Sequence, residues 1–572
     1  MLRQRLRSPR NLAAGLLVAC AAAGSSSTTL FNAFAQDDVA LIIKDSRAQQ
    51  PDQVARIFTE PYWPAPFHRY LYRPLTSLLI AAEWQLGGGA PFAFKAVQVA
   101  IYSASAIAVL ILALQLLPFW GAVAAALFFA VHPVHVEAVA LAVNQAEVMV
   151  GLLAALATAW YIALRREGAI GWGSAAGLGA MTFVAAHFKE SGLMLPGLLV
   201  AAELFVIQTS PWESWRISRP VWLLQVLAAE LALAIRSFIP TETASGTFTA
   251  EVFLHSTMWN RLETMLTVVP EWLRLHLWPA TLQADYSPQV INQATGWGVD
   301  QWLGLVIVGL IVVLAFRLRS RAPMILFGVV WVAIGLFPVS NVLLPTGIPI
   351  AERTLFLSSI GAMVAVVAVG MEMIRVTAGR RRLVLQGILA TAVVVVTMLG
   401  ASRSLSRHRI WRNSMSMWAQ TIIDAPQGYR AWIAFGTLLY QSASEDRGIL
   451  AYRIGLQLYD GFEGPIIQLA DWYRQRNACP DAIVLYRKAL ALSEAQPTLV
   501  GLAACLAWEG DYRGAQQIAL RGMQTGLNGS IYHLWFRTAL DAERTRAPVH
   551  TVRFPKGHEH LFGTPQPRVP GM

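Results

Sequence analysis

Along most of this chain the apolar positions run on in long stretches, separated by short polar loops. Eleven stretches, near 12–33, 93–117, 120–131, 138–163, 170–186, 190–208, 221–237, 302–316, 323–343, 354–374 and 383–402, approach the roughly 20 apolar residues that a membrane-spanning helix needs. The pattern predicts an all-α fold whose first domain, residues 1–410, is a polytopic membrane helix bundle of about eleven spans. A segment from Tyr70 to Leu86 in the first long loop reads as an amphipathic helix lying at the interface.

Beyond about residue 410 the pattern changes to a repeat. Tyr452-Arg-Ile-Gly-Leu456 recurs as Tyr486-Arg-Lys-Ala-Leu490 and more loosely as Ala519-Leu-Arg-Gly-Met523, a spacing of 34 and then 33 residues. Gly436, Ala470 and Ala503 hold the small position where two helices of a repeat approach, and Trp508 to Tyr512 reads as the turn between them. A period near 34 is that of tetratricopeptide repeats, and three units make a minimal stack. The second domain is therefore predicted as a short α-solenoid over 411–545, and the proline-rich 546–572 as a disordered tail.

Composition agrees with a membrane protein: of 572 residues 55% are hydrophobic and 14% charged, with mean hydropathy +0.47. The net charge of +11 does not point to nucleic acid, because its distribution has another cause. Arg3, Arg5, Arg7 and Arg10 precede the first span. Arg165-Arg166, then Arg216 and Arg219, then Arg317, Arg319 and Arg321, then Arg375 with Arg380 to Arg382, fall in every second loop after it. This positive-inside alternation predicts a cytoplasmic N-terminus and a repeat domain on the other side. Few lysines beside many arginines suggest a bacterial inner membrane with a periplasmic repeat domain; an endoplasmic reticulum would give the same topology. Three cysteines exclude a disulfide scaffold, although Cys479 and Cys505 could pair in an oxidising compartment. Leu17 to Cys20 has the look of a lipoprotein box, but the apolar stretch continues past Cys20, which favours an uncleaved anchor.

The candidate chemistry collects at the ends of spans on the predicted external side. Asp37 and Asp38 follow the first span, where a carboxylate facing water could take a proton from an attacking hydroxyl; a solvated loop start would look the same. His132, His135 and Glu137 could ligate a divalent metal ion, the one cofactor the sequence leaves open. Pro133 breaks the helix there and nothing further completes a ligand set, so a polar turn is the favoured reading. Lys189 and Glu190 stand between two apolar segments in a chain with only five lysines, and charge at that depth faces a cavity or a partner. Arg73, Lys189 and Arg353 could each hold a phosphate. Glu352 accompanies Arg353, Asp285-Tyr-Ser-Pro288 is a turn by local chemistry, and Asn144 and Glu147 face the bundle interior. There is no glycine-rich phosphate loop, nucleophile elbow or paired-cysteine zinc spacing, which argues against a soluble nucleotide or ATP-driven transport.

Taken in order, these segments resemble the C-type membrane glycosyltransferases, and among them the O-mannosyltransferase-like proteins that join a membrane domain to tetratricopeptide repeats. The resemblance is carried by Asp37-Asp38, Tyr72-Arg73-Pro74-Leu75-Thr76, the stretch from Phe128 to Glu137, Lys189-Glu190-Ser-Gly-Leu-Met-Leu-Pro196, Leu277-Trp-Pro279 with Asp285-Tyr-Ser287, and Ala351-Glu352-Arg353-Thr-Leu-Phe-Leu. It implies a polyprenyl-phosphate-linked sugar as donor and a protein or glycan hydroxyl as acceptor, with the repeats as a recruiting platform. It further implies an inverting reaction in which Asp37 or Asp38 is the base while Arg73, Lys189 and Arg353 steady the departing phosphate. His132, His135, Glu137, Glu190, Asp285 and Glu352 would be supporting polar groups. One departure stands out: the family's Gly-Arg-x-Asp is Asn144-Gln145-Ala146-Glu147 here, one cation fewer. That leaves two other classes in view, an inactive scaffold whose repeats bind partner proteins and a lipid-linked sugar flippase. A flippase fits less well, since its site is expected near the bilayer midplane.

Overall fold

A computed structural model describes residues 8–65, 67, 71–240, 250–254, 256–524 and 544. Arg3, Arg5, Arg7, Tyr70 and the tail 546–572 lie outside the described residues, among which there is no strand. The chain divides into two compact units, 1–287 with 291–425 and 288–290 with 426–572.

The first unit is built from α1 (Pro9–Ser26), α2 (Pro74–Gly87), α3 (Pro91–Leu116), α4 (Phe119–Ala130), α5 (Val136–Ala140), α6 (Gln145–Glu167) and α7 (Trp172–Phe188). It continues with α8 (Leu195–Ala202), α9 (Pro211–Ser237), α10 (Met258–Leu277), α11 (Val299–Leu318), α12 (Pro323–Leu336), α13 (Phe356–Val376), α14 (Gly379–Ile410) and α15 (Ser414–Asp424). Every apolar stretch predicted from the sequence is helical. Among the described residues eight helices, α1, α3, α6, α8, α9, α11, α13 and α14 with their flanking turns, are long and apolar enough to cross a membrane, and α4 with α5 makes a ninth if the pair, bent by 43°, is one span. The chain is thus an integral membrane protein. The other two expected spans are shorter helices: α7 has 17 residues and stops at Lys189, and α12 gives way to a 3₁₀ turn containing Pro338.

Proline starts several of these helices. Pro9, Pro74, Pro91, Pro211 and Pro323 stand in the first turn, where the missing N–H has no intrahelical partner to lose. Pro133, after His132, makes the bend between α4 and α5. Small residues then set how closely helices pack. A methyl at Gly328 of α12 would lie 2.5 Å from the carbonyl of Gly361 in α13, so the two backbones touch there. The first-loop helix begins at Pro74, and its buried face includes Thr76, Ser77 and Glu83 while Leu86 is exposed. It docks through these polar groups together with Ile80 and Ala81, and Thr76 donates to the Phe188 carbonyl at 2.7 Å.

Among the described residues the second unit holds three helix pairs: α16 (Tyr429–Gln441) with α17 (Glu445–Leu458), α18 (Glu463–Gln475) with α19 (Cys479–Leu492), and α20 (Gln496–Trp508) with α21 (Tyr512–Gln524). Gly436 faces the Gly448 carbonyl so closely that a methyl would sit 2.8 Å away, and Ala470 and Ala503 are buried at the equivalent places. Cys479 and Cys505 form a disulfide between α19 and α20, with Cα atoms 5.1 Å apart.

Candidate active site

The two neighbouring aspartates have separate fates. The loop that carries them is pinned by Ala33 N–H donating to the Arg412 carbonyl at 2.9 Å and Gln36 N–H to Ser414 Oγ at 3.0 Å. Gln36 itself is left-handed, φ 48°, the kind of backbone strain that a surrounding structure must impose. Asp38 is fully buried, pairs with Lys95 of α3 at 2.8 Å and accepts the backbone N–H groups of Ala142 and Val143 at 3.2 and 3.0 Å. Lys95 also donates to the Ala140 carbonyl at 2.6 Å. Asp37 is half-buried, and no ion pair or hydrogen bond of its carboxylate occurs among the described residues. Burial raises its pKa above the ordinary aspartate value; Arg353 and Arg73 act against that, while Asp38 and Glu137 add to it.

Two of the three predicted cations, Arg353 and Arg73, act on Asp37 electrostatically, and the same two act on Lys189. Arg353 opens the span containing α13 and pairs with Glu137 of α5, which also accepts the Arg353 backbone N–H at 2.9 Å. Lys189, at the end of α7, pairs with Glu147 of α6. In both pairs the cation stands in front: Arg353 and Lys189 keep 18% and 13% side-chain exposure, whereas Glu137 and Glu147 keep 1% and 4%. The buried carboxylates therefore fix the direction of cations whose outer sides stay accessible. Burial lowers the Lys189 pKa in spite of Glu147. Arg73 reaches Glu190 at 2.8 Å, and Glu190 also accepts from Arg236 at the end of α9 at 3.2 Å. Tyr62 lies under Arg73, its ring centroid 5.3 Å from the guanidinium carbon.

The remaining predicted residues are supports. His132 accepts Val134 N–H at 3.3 Å and its Nε2 lies 3.1 Å from the His276 carbonyl. His135 meets Tyr102 Oη at 3.0 Å and Ser359 Oγ at 2.8 Å. Both rings thus spend both nitrogens on the protein, and no group of three or more His, Cys, Asp or Glu converges among the described residues. Glu352 is fully buried and turned to the 283–286 loop, where Tyr286 Oη and Gln283 N–H donate to it. Asp285 accepts Ser287 N–H at 3.0 Å and shapes that loop.

Sequence reading missed Lys95, Arg236, Tyr62 and Glu83. Lys95 carried the same signal as Lys189, a rare lysine within an apolar segment. Glu83 is 3% exposed; one oxygen accepts from Gln145 at 3.1 Å and the other has no partner. Burial pushes its pKa up to about 8.

Fold and cluster together define a multi-span membrane protein that gathers cations and carboxylates at one end of its helix bundle, with a helical-repeat unit following. No family model matches the chain. It is similar to protein O-mannosyl-transferase TMTC3 of mouse, 22% identical over 499 residues, which is 81% of this chain and 53% of that protein. It is also similar to human TMTC1, 23% identical over 498 residues, covering 78% and 55%, and to Drosophila Tmtc3, 23% identical over 559 residues, covering 83% and 58%. The chain spans about half the length of the curated relatives it matches. These relatives agree with the resemblance to C-type membrane glycosyltransferases bearing tetratricopeptide repeats.

Proposed function

We propose that the chain is a membrane glycosyltransferase that moves a sugar from a polyprenyl-phosphate-linked donor to an acceptor hydroxyl on the non-cytoplasmic side. The observation that carries this reading is Asp37, a carboxylate with no hydrogen bond among the described residues, acted on by Arg353 and Arg73, which also act on Lys189. Asp37 takes the proton of the acceptor hydroxyl as its oxygen attacks the anomeric carbon. The bond from that carbon to the phosphate oxygen breaks with inversion, and the cations receive the charge that develops on the leaving phosphate. Asp38 has a structural task in this scheme, because Lys95 and two backbone N–H groups already use its oxygens. The names of the relatives make mannose the first sugar, and a protein hydroxyl the first acceptor, to be tried. The repeats would recruit that acceptor.

The orientation draws on the alternating arginine loops, and the Cys479–Cys505 disulfide suits an oxidising compartment for the repeats. The scarcity of lysine favours a bacterial inner membrane and its periplasm; the relatives named above are from animals, whose endoplasmic reticulum lumen presents the equivalent face. A second reading, an inactive scaffold, draws on Gln145 standing where the resemblance expects arginine.

The test is transfer in membranes supplied with radiolabelled polyprenyl-phosphate sugars, mannose first. Wild type should transfer and Asp37→Asn should not, at equal expression and equal melting temperature. Transfer that survives Asp37→Asn removes Asp37 as the base. A wild type inactive with every donor and acceptor tried moves the scaffold reading ahead.

A further inference from the structure

We infer that the membrane unit holds a second, separate site, for an anionic phospholipid, in the groove that ends at Arg403. The groove has a volume of about 450 Å³ and is walled by the end of α4, the end of α10, and one face each of α13 and α14. None of Asp37, Arg73, Lys189 or Arg353 lines it, and of the residues named as supports of the first site only His132 reaches its wall among the described residues. Its wall is mostly hydrocarbon, including Phe128, Met363, Val366 and Leu399, and several of these side chains are exposed on the outside of the bundle. An apolar groove opening sideways from a membrane helix bundle takes lipid rather than a water-soluble ligand. Gly400 lets α14 come close to the α4–α5 bend: a methyl there would lie 3.0 Å from Val131.

One charge stands on this wall. Among the described residues that line the groove Arg403 is the one arginine, lysine or carboxylate, and His132 and His276 spend their ring nitrogens on the protein. The Arg403 Nε is buried without a hydrogen-bond partner, and no ion pair of its guanidinium occurs among the described residues. Six other cations near the external ends of the spans, Arg73, Lys95, Lys189, Arg236, Arg353 and Arg407, are each paired with a carboxylate, Arg261 is held by backbone carbonyls, and Arg409 and Arg412 are exposed. An arginine at membrane depth without a protein counter-charge calls for an anionic partner, and a guanidinium suits phosphate oxygens. A headgroup phosphate at Arg403 with one acyl chain in the groove satisfies the charge and covers the apolar wall. The volume lies low in the roughly 300–1,000 Å³ range of ligand pockets, room for a single chain. The inference does not depend on the transferase reading.

The experiment uses the full chain, purified in detergent, and native mass spectrometry with equimolar phosphatidylglycerol and phosphatidylcholine of identical chains. Wild type should retain the anionic lipid about fivefold over the zwitterionic one, as one arginine near a headgroup warrants. Arg403→Gln should bring the two to parity, and Arg403→Lys should keep the preference. Leu399→Trp, which fills the groove, should lose both lipids. Equal preference in wild type, or a preference that survives Arg403→Gln or is lost in Arg403→Lys at unchanged melting temperature, overturns the inference. So does displacement of phosphatidylglycerol by equimolar polyprenyl phosphate, which would give the groove to the donor. If Arg403→Gln does not fold, Arg403→Lys and Leu399→Trp decide between these outcomes.

Discussion

The two ends of the helix bundle handle buried charge in opposite ways. At the arginine-rich end, Arg165 grips Glu203 through Nε and Nη2, Tyr161 donates to the same carboxylate at 2.5 Å, and Thr209 donates as well. None of these four side chains has a buried polar atom without a partner. At the other end, no hydrogen bond or ion pair of the Asp37 carboxylate occurs among the described residues, and Glu83, Gln98 and Gln145 each leave an oxygen unsatisfied. A closed network stiffens a fold, whereas an incomplete one keeps capacity for something else to bind or react. Buried ion pairs by themselves therefore say little about chemistry; what is left over at their edge says more.

The sharpest way to break this comparison is Asp37→Asn. It should lower transfer by about 10²–10⁴-fold, the usual worth of a positioned base, and leave thermal unfolding unchanged. Glu203→Gln should do the reverse: it strands Arg165 and costs roughly 3–5 kcal/mol of stability, read as a lower melting temperature. If the two variants behave alike, the distinction between the ends fails.

Smaller effects sharpen it through Glu83. Its pKa is raised to about 8 from an ordinary 4.5 by burial, so folding favours the protonated form. The stability it contributes is present in full below the ordinary value and is lost as pH rises through about 8. Melting temperature measured from pH 5 to 9 should fall across that range, and Glu83→Gln should flatten the fall. The smallest change is expected for Gln145→Arg, which puts a guanidinium against the vacant Glu83 oxygen. It should hold Glu83 ionised and bring the melting temperature at pH 8 closer to that at pH 6.

How far the sequence carried the fold depends on the kind of signal. Long apolar stretches located the spanning helices, because burial in lipid demands them whatever the neighbours are; α10, with Arg261, Glu263, Glu271 and Arg274 along it, carries no such stretch and was not visible. Helix ends were less visible. α9 begins at Pro211 rather than near 221 because a polar turn with Glu213, Arg216 and Arg219 extends it, with a break at Ser218. Arg353, Lys189 and Arg73 were legible as charges out of place, and they do come together. What could not be read was who holds them: Glu137, Glu147 and Glu190 are brought to their partners by folding alone. Nor could the sequence separate Asp37 from Asp38, since identical neighbours differ only in what the fold sets opposite each. Lys95 was legible by the reasoning that found Lys189 and was passed over because its helix is otherwise apolar.

The anchoring of Asp38 also makes the first loop a measuring device. With Asp38 held by Lys95 and the 142–143 backbone, and the chain upstream held at Ala33 and Gln36, the side chain delivered to the cations is defined by counting from a fixed peg. Inserting one residue between Ala33 and Gln36 would push Asp37 onto the peg and bring Gln36 into its former position, leaving an amide where the carboxylate had stood. A protein engineer could thus edit this loop in length as effectively as in composition, without altering either aspartate.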